Sequence, residues 1–162
     1  MKQYKYKGRI YSIVNCKVED IPSHVERVSS YWPVEILEDQ IESLKDCIEN
    51  GIAIQLVNDK GKAQAIIYCL PVKEGEVKSH LLWVRSKKLF AILAWHLRTY
   101  LDIAKIAFMP HSKDFIPFEF VVTPQSIRRF HSHNMPLMID LFSASNREFG
   151  YALIRDGIVQ EI

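Results

Sequence analysis

Leu89, Leu93, Leu97 and Tyr100 recur at helical spacing, with Ile92 and His96 flanking them, and form the strongest amphipathic stripe in the chain. Ser86 stands where an N-cap belongs. Immediately before it, Ser79–Val84 is rich enough in β-formers to read as a strand. A strand that turns within two residues into a long one-sided helix must lay that helix on a sheet, because neither surface is stable bare. This unit excludes an all-helical bundle and an all-β sandwich.

The remaining pattern supplies the rest of the sheet. Arg9–Cys16 reads as a strand, and Asp20 can cap a helix whose apolar face is Ile21, Val25, Val28 and Trp32, with Pro22 tolerated in its first turn. Pro33 ends it. A second helix places Ile41, Leu44 and Ile48 on one side and stops at Asn50–Gly51. Ile52–Val57 and Ala63–Leu70 form a hairpin about Asn58–Gly61, and Val72–Val77 holds another turn. Phe118–Val122 reads as a compact strand, and Thr123–Pro124 opens a short helix with Ile127 and Phe130 inward. Pro136–Phe142 and Phe149–Ile154 read as a closing pair of strands. Hairpins at both ends and crossovers between them predict an α/β (α+β) fold: a central mixed, mostly antiparallel sheet with helices on both faces.

At 162 residues, with no linker or repeat, residues 1–162 are expected to form one domain. No apolar run is long enough to span a membrane, and the basic start Met1–Lys7 lacks the apolar stretch of a signal peptide. The expected location is the cytoplasm. Three widely spaced cysteines, Cys16, Cys47 and Cys69, fit buried thiols better than disulfides or a zinc site. A net charge of +2 argues against nucleic acid as the main partner, although Lys2, Lys5 and Lys7 alternate with Tyr4 and Tyr6. That run reads as a tail or a sheet-edge strand guarded by lysines.

From Arg9 to Ile154 the order of elements resembles that of the GNAT-type N-acetyltransferases, and loosely the GNAT-like proteins of tailed bacteriophages, including internal virion components. The resemblance implies a GNAT-like sheet and, in its active members, an acetyl-CoA diphosphate held by backbone N–H groups at a helix start. The position that matches this loop is Arg85, Ser86, Lys87 and Lys88. The family pattern is Gln or Arg, two residues, Gly, one residue, then Gly or Ala. Counted from Arg85, Lys88 replaces the glycine and Phe90 the small residue; counted from Ser86, Leu89 replaces the glycine and Ala91 fits. Further on, Phe130 occupies the place of the tyrosine that often protonates the departing thiolate.

Those departures predict a degraded cofactor site, with CoA bound weakly or not at all and no cofactor required. The expected role is non-catalytic binding or assembly through a protein partner or self-association, in the cytoplasm or in a virion. Trp83, Arg85, Lys87, Lys88 and Phe90 are the candidate partner surface, filling the groove or offering an apolar anchor with a basic rim. The competing reading is a divergent N-acyltransferase that uses acetyl-CoA and acts on an amine. Glu119 would then be the weak candidate for a base, and the acidic stretch Glu35–Glu49 would border the acceptor. His131 and His133, two residues apart, do not share a helical face and, with His111, make a poor metal set; no metal is expected.

Overall fold

The computed structural model describes residues 2–29, 40–110, 122–142 and 154–162. Eight strands form one sheet: β1 (Lys2–Tyr6), β2 (Arg9–Asn15), β3 (Ile52–Val57), β4 (Ala63–Lys73), β5 (Glu76–Val84), β6 (Lys105–Phe108), β7 (Leu137–Asp140) and β8 (Val159–Glu161). Their spatial order is β7-β6-β5-β4-β3-β2-β1-β8, and every neighbouring pair is antiparallel except β5 with β6. The helices are α1 (Ile21–Val28), α2 (Ile41–Asn50), α3 (Lys87–Leu101) and α4 (Pro124–His133).

One core lies between the sheet and α3, joined by Phe130 of α4; it includes Leu56, Ile67, Leu82, Leu93 and Leu97. A second, smaller core lies on the other face beneath α1 and α2, around Ile21, Leu44, Cys47, Ile66 and Tyr68. The sheet is therefore covered on both faces, as the pattern of elements predicts. The apolar face expected for α1 is extended by His24, which is 2% exposed. Tyr100, expected in the α3 stripe, stands at the helix end and is exposed.

Two strands differ from expectation. The Lys–Tyr alternation at the start is a full strand, β1, paired with β2 on one side and β8 on the other. Alternate residues point to opposite faces, so Tyr4 and Tyr6 are buried while Lys5 stands in solvent. Lys7 and Gly8, both at positive φ, make the tight hairpin turn between β1 and β2. Among the described residues the parallel neighbour of β5 is Lys105–Phe108, a segment the sequence pattern does not mark as a strand. Its alternation is short but clean, with Ile106 and Phe108 inward. Residues 118–121 and 149–153 lie outside the described residues, and Val122 forms a single bridge to Ile139.

Candidate functional site

The strand–turn–helix unit forms where the sequence places it. β5 ends at Val84, the backbone N–H of Arg85 still donates to the Gln64 carbonyl, and α3 begins at Lys87. Ser86 caps the helix: its hydroxyl accepts from the Leu89 N–H at 3.3 Å, and its carbonyl accepts from the Phe90 N–H at 3.0 Å. Arg85, Ser86, Lys87 and Lys88 are exposed. The Arg85 guanidinium reaches the Gln64 side-chain oxygen at 3.3 Å. Three cations at the positive end of a helix oppose its dipole, so this arrangement suits a negatively charged visitor better than it suits the isolated chain.

Leu89 to Leu93 are five consecutive buried residues, more than a full helical turn, so the start of α3 is enclosed on every side past Lys88. Phe90 is 2% exposed and belongs to the α3 core with Leu82, Val84, Phe108 and Phe130. The surface-anchor role expected of it therefore does not fit: it is not part of an exposed rim. Trp83 is half-buried on the opposite face, against the α1–α2 core, with the Arg27 guanidinium 5.2 Å from its ring centre. Trp83 and Phe90 thus leave the strand–turn–helix unit on different faces of the sheet.

The sequence gives no sign of what happens in the middle of β5. Tyr68 pairs with Leu81, but the next residue, Cys69, pairs with Ser79, so His80 is an extra residue bulged out of the ladder. The bulge reverses the alternation: Val77 and Leu82, five apart, both face α3. It also bends the strand away from its neighbour. Pairing of β5 with β6 stops at Lys78, directly before the bulge, and the outer edge from Ser79 to Val84 has no strand partner among the described residues. Among the described residues the parallel ladder therefore does not continue toward the Arg85–Lys88 turn. His80 is half-buried, and its imidazole is held below its usual pKa, first by burial and then by Lys78, with Asp46 of α2 pulling the other way.

Phe130 is buried at 2% exposure, a ring without a proton to give. Asn134 ends α4 in the left-handed conformation at φ 54°, which its short polar side chain tolerates. Glu119, His111 and residues 30–39, which include Glu35, lie outside the described residues. Glu42, Asp46 and Glu49 form the wet face of α2. His131 and His133 are exposed on α4, and no group of three His, Cys, Asp or Glu among the described residues is placed to hold a metal. Burial pushes the thiols of Cys16 and Cys69 up to about 12 and that of Cys47 up to about 11, which leaves them inert at neutral pH.

RimJ of Mycobacterium smegmatis, solved in complex with CoA-disulfide, superposes over 98% of this chain and 94% of its own, with a TM-score of 0.54 at 12% identity. The chain has the GNAT fold. The dodecameric spermidine N-acetyltransferase of Vibrio cholerae aligns over 86% of this chain and 95% of its own, at 8% identity and a TM-score of 0.46. The same enzyme solved with CoA and spermine aligns over 60% and 69%, at 12% and 0.42. The fold assignment rests on the RimJ superposition, and at such identities the likeness is one of architecture. No protein-family model matches the sequence, and no curated protein matches it. Among the described residues, no helix is long and apolar enough to cross a membrane.

Proposed function

We propose that this GNAT-fold chain is a non-catalytic binding or assembly protein, and that the Arg85–Lys88 turn is the surface that meets its partner. The observation that carries this reading is the enclosed start of α3, with Phe90 packed into the core where the family pattern keeps bare backbone. A phenyl ring there removes the close approach that a diphosphate needs, while Arg85, Lys87 and Lys88 remain outside as a basic rim. The partner that fits is an acidic protein surface. The Glu42, Asp46 and Glu49 stripe of a second copy is one candidate, and a larger particle such as a virion is another.

A specific observation favours the second reading, a divergent N-acyltransferase. The bulge at His80 opens the edge of β5 beside β6, where the amides of a pantetheine-like arm would complete the ladder. In that reading neutral His80 accepts a proton from the acceptor amine, the amine nitrogen attacks the thioester carbonyl, and the C–S bond breaks. The thiolate would then take its proton from water, because Phe130 has none to give.

Calorimetric titration with acetyl-CoA separates the two. Weak or absent binding is expected. A Kd in the low micromolar range, together with amine-dependent release of free thiol, overturns the binding-protein reading. The surface itself is tested by replacing Arg85, Lys87 and Lys88 together with Glu and following assembly by sedimentation. Unchanged partners and oligomeric state, with the fold intact, would remove the turn as an interface.

A further inference from the structure

The last turns of α3, far from the Arg85–Lys88 turn, overhang a second feature that the fold leaves open. β1 pairs with β2 only as far as Lys2 opposite Ile13, so Val14 and Asn15 of β2, which pair with β3 on one side, have no strand on the β1 side among the described residues. α3 roofs the gap with His96 and Leu101, and Ile54 of β3 supplies the floor beside Ile13. The result is a half-open cavity of about 760 Å³, within the range of small-molecule sites.

Its lining is divided about evenly between aliphatic and polar surface. Lys2 carries the only formal charge among the lining residues. Its ammonium lies 4.8 Å from the centre of the Tyr100 ring, which fixes the head without neutralising it. Glu161 is the nearest compensating carboxylate. It already accepts from the Tyr100 hydroxyl at 2.7 Å and the Trp95 ring N–H at 3.0 Å, and it is not part of the cavity wall. His96 meets the hydroxyl of fully buried Tyr4 through Nδ1 at 3.3 Å. Burial holds that ring below its usual pKa, in keeping with the neutral form.

We propose that this cavity is a binding site for a small amphipathic carboxylate, its headgroup held by the Lys2 ammonium beside His96 and its hydrocarbon tail laid against Ile13, Ile54 and Leu101. The site is independent of the Arg85–Lys88 surface and stands whether or not that surface binds a partner. A cation is disfavoured because the one charge on the wall is positive. The charged head sets the selectivity and the aliphatic wall sets the need for a chain.

The probes are octanoate, octylammonium and acetate, titrated into the full chain by calorimetry and followed by amide NMR shifts. Octanoate is expected to bind at least about tenfold more tightly than either of the others. Lys2→Gln, at a partly exposed position, is expected to lower octanoate affinity about tenfold with Tm unchanged. Leu101→Trp, which fills the cavity from its rim, is expected to abolish binding. The triple Glu variant at Arg85, Lys87 and Lys88 is expected to bind octanoate as the wild type does. No binding of octanoate at millimolar concentration overturns the proposal. Equal binding of octylammonium, or no effect of Lys2→Gln, does the same.

Discussion

On the α3 face of the sheet, Leu56, Ala65, Ile67, Leu82, Leu93 and Leu97 meet as hydrocarbon, with almost no direction to their contacts. Beneath α1 the opposite face runs a buried polar chain. The Tyr68 hydroxyl lies 2.7 Å from His24 Nδ1, His24 Nε2 lies 3.0 Å from the Gln55 side-chain oxygen, and the Gln55 amide donates to Asp20 at 3.3 Å. Because that Gln55 oxygen can only accept, His24 Nε2 must donate and Nδ1 must accept from Tyr68, so every donor in the chain points toward Asp20. Apolar packing tolerates many arrangements of similar volume, whereas a buried hydrogen-bonded chain tolerates one. The first face supplies most of the stabilisation. The second fixes where α1 sits, at the cost of leaving unsatisfied groups if any member is lost.

That contrast has measurable edges. Leu93→Ala, at a fully buried site, is expected to cost about 3 kcal/mol in denaturant unfolding, while Leu93→Met costs under about 1.5 kcal/mol. Tyr68→Phe keeps the ring but strands His24 Nδ1, and about 2 kcal/mol is expected to be lost. If Tyr68→Phe proves as mild as Leu93→Met, the polar chain is not specifying anything and the contrast fails.

Acid sharpens it further. The pKa of buried His24 lies below its ordinary 6.5, mainly through desolvation, so below that pH the unfolded chain takes up a proton that the folded chain refuses. Its share of stability is complete above pH 6.5 and is lost as pH falls toward the depressed folded value. His80 and His96 shift the same way, so His24→Gln is expected to flatten the decline of Tm with acid without abolishing it. Outside both cores, Ser86→Ala is expected to cost about 1 kcal/mol through the lost cap. Lys88→Glu, the smallest effect, is expected to stabilise by about 0.5 kcal/mol, because an acid replaces a base at the positive end of α3.

The sequence shows best what repeats. The stripe of α3 and the hairpin turn at Asn58–Gly61 were legible because each uses a residue type for a local reason. Asn58 Oδ1, for example, accepts from the Lys60 and Lys62 N–H groups. β6 and β8 are too short to carry a period, and β1 hid behind its lysines because charge and strand are not exclusive. The bulge at His80 has no signature in composition; it exists only as a mismatch between two registers. Ser86 was readable as a cap, whereas the inward turn of Phe90 depended on what encloses the helix start. His24 looked like any polar residue on a helix, since its partners Gln55 and Tyr68 come from strands far along the chain.

The pairing of β1 with β8 sets a timetable for the nascent protein. Tyr4 stands opposite Glu161 in the ladder, and the Ile162 N–H closes onto the Gln3 carbonyl at 3.0 Å, so β1 waits for a partner strand that lies far along the chain. At typical translation speeds that wait is roughly ten to thirty seconds, during which one edge of β1 is bare. Solvated Lys5 discourages unwanted pairing in the interval. On a crowded polysome the same edge is open to β8 of a neighbouring chain, so exchange of that strand between two copies is the misassembly that this topology invites.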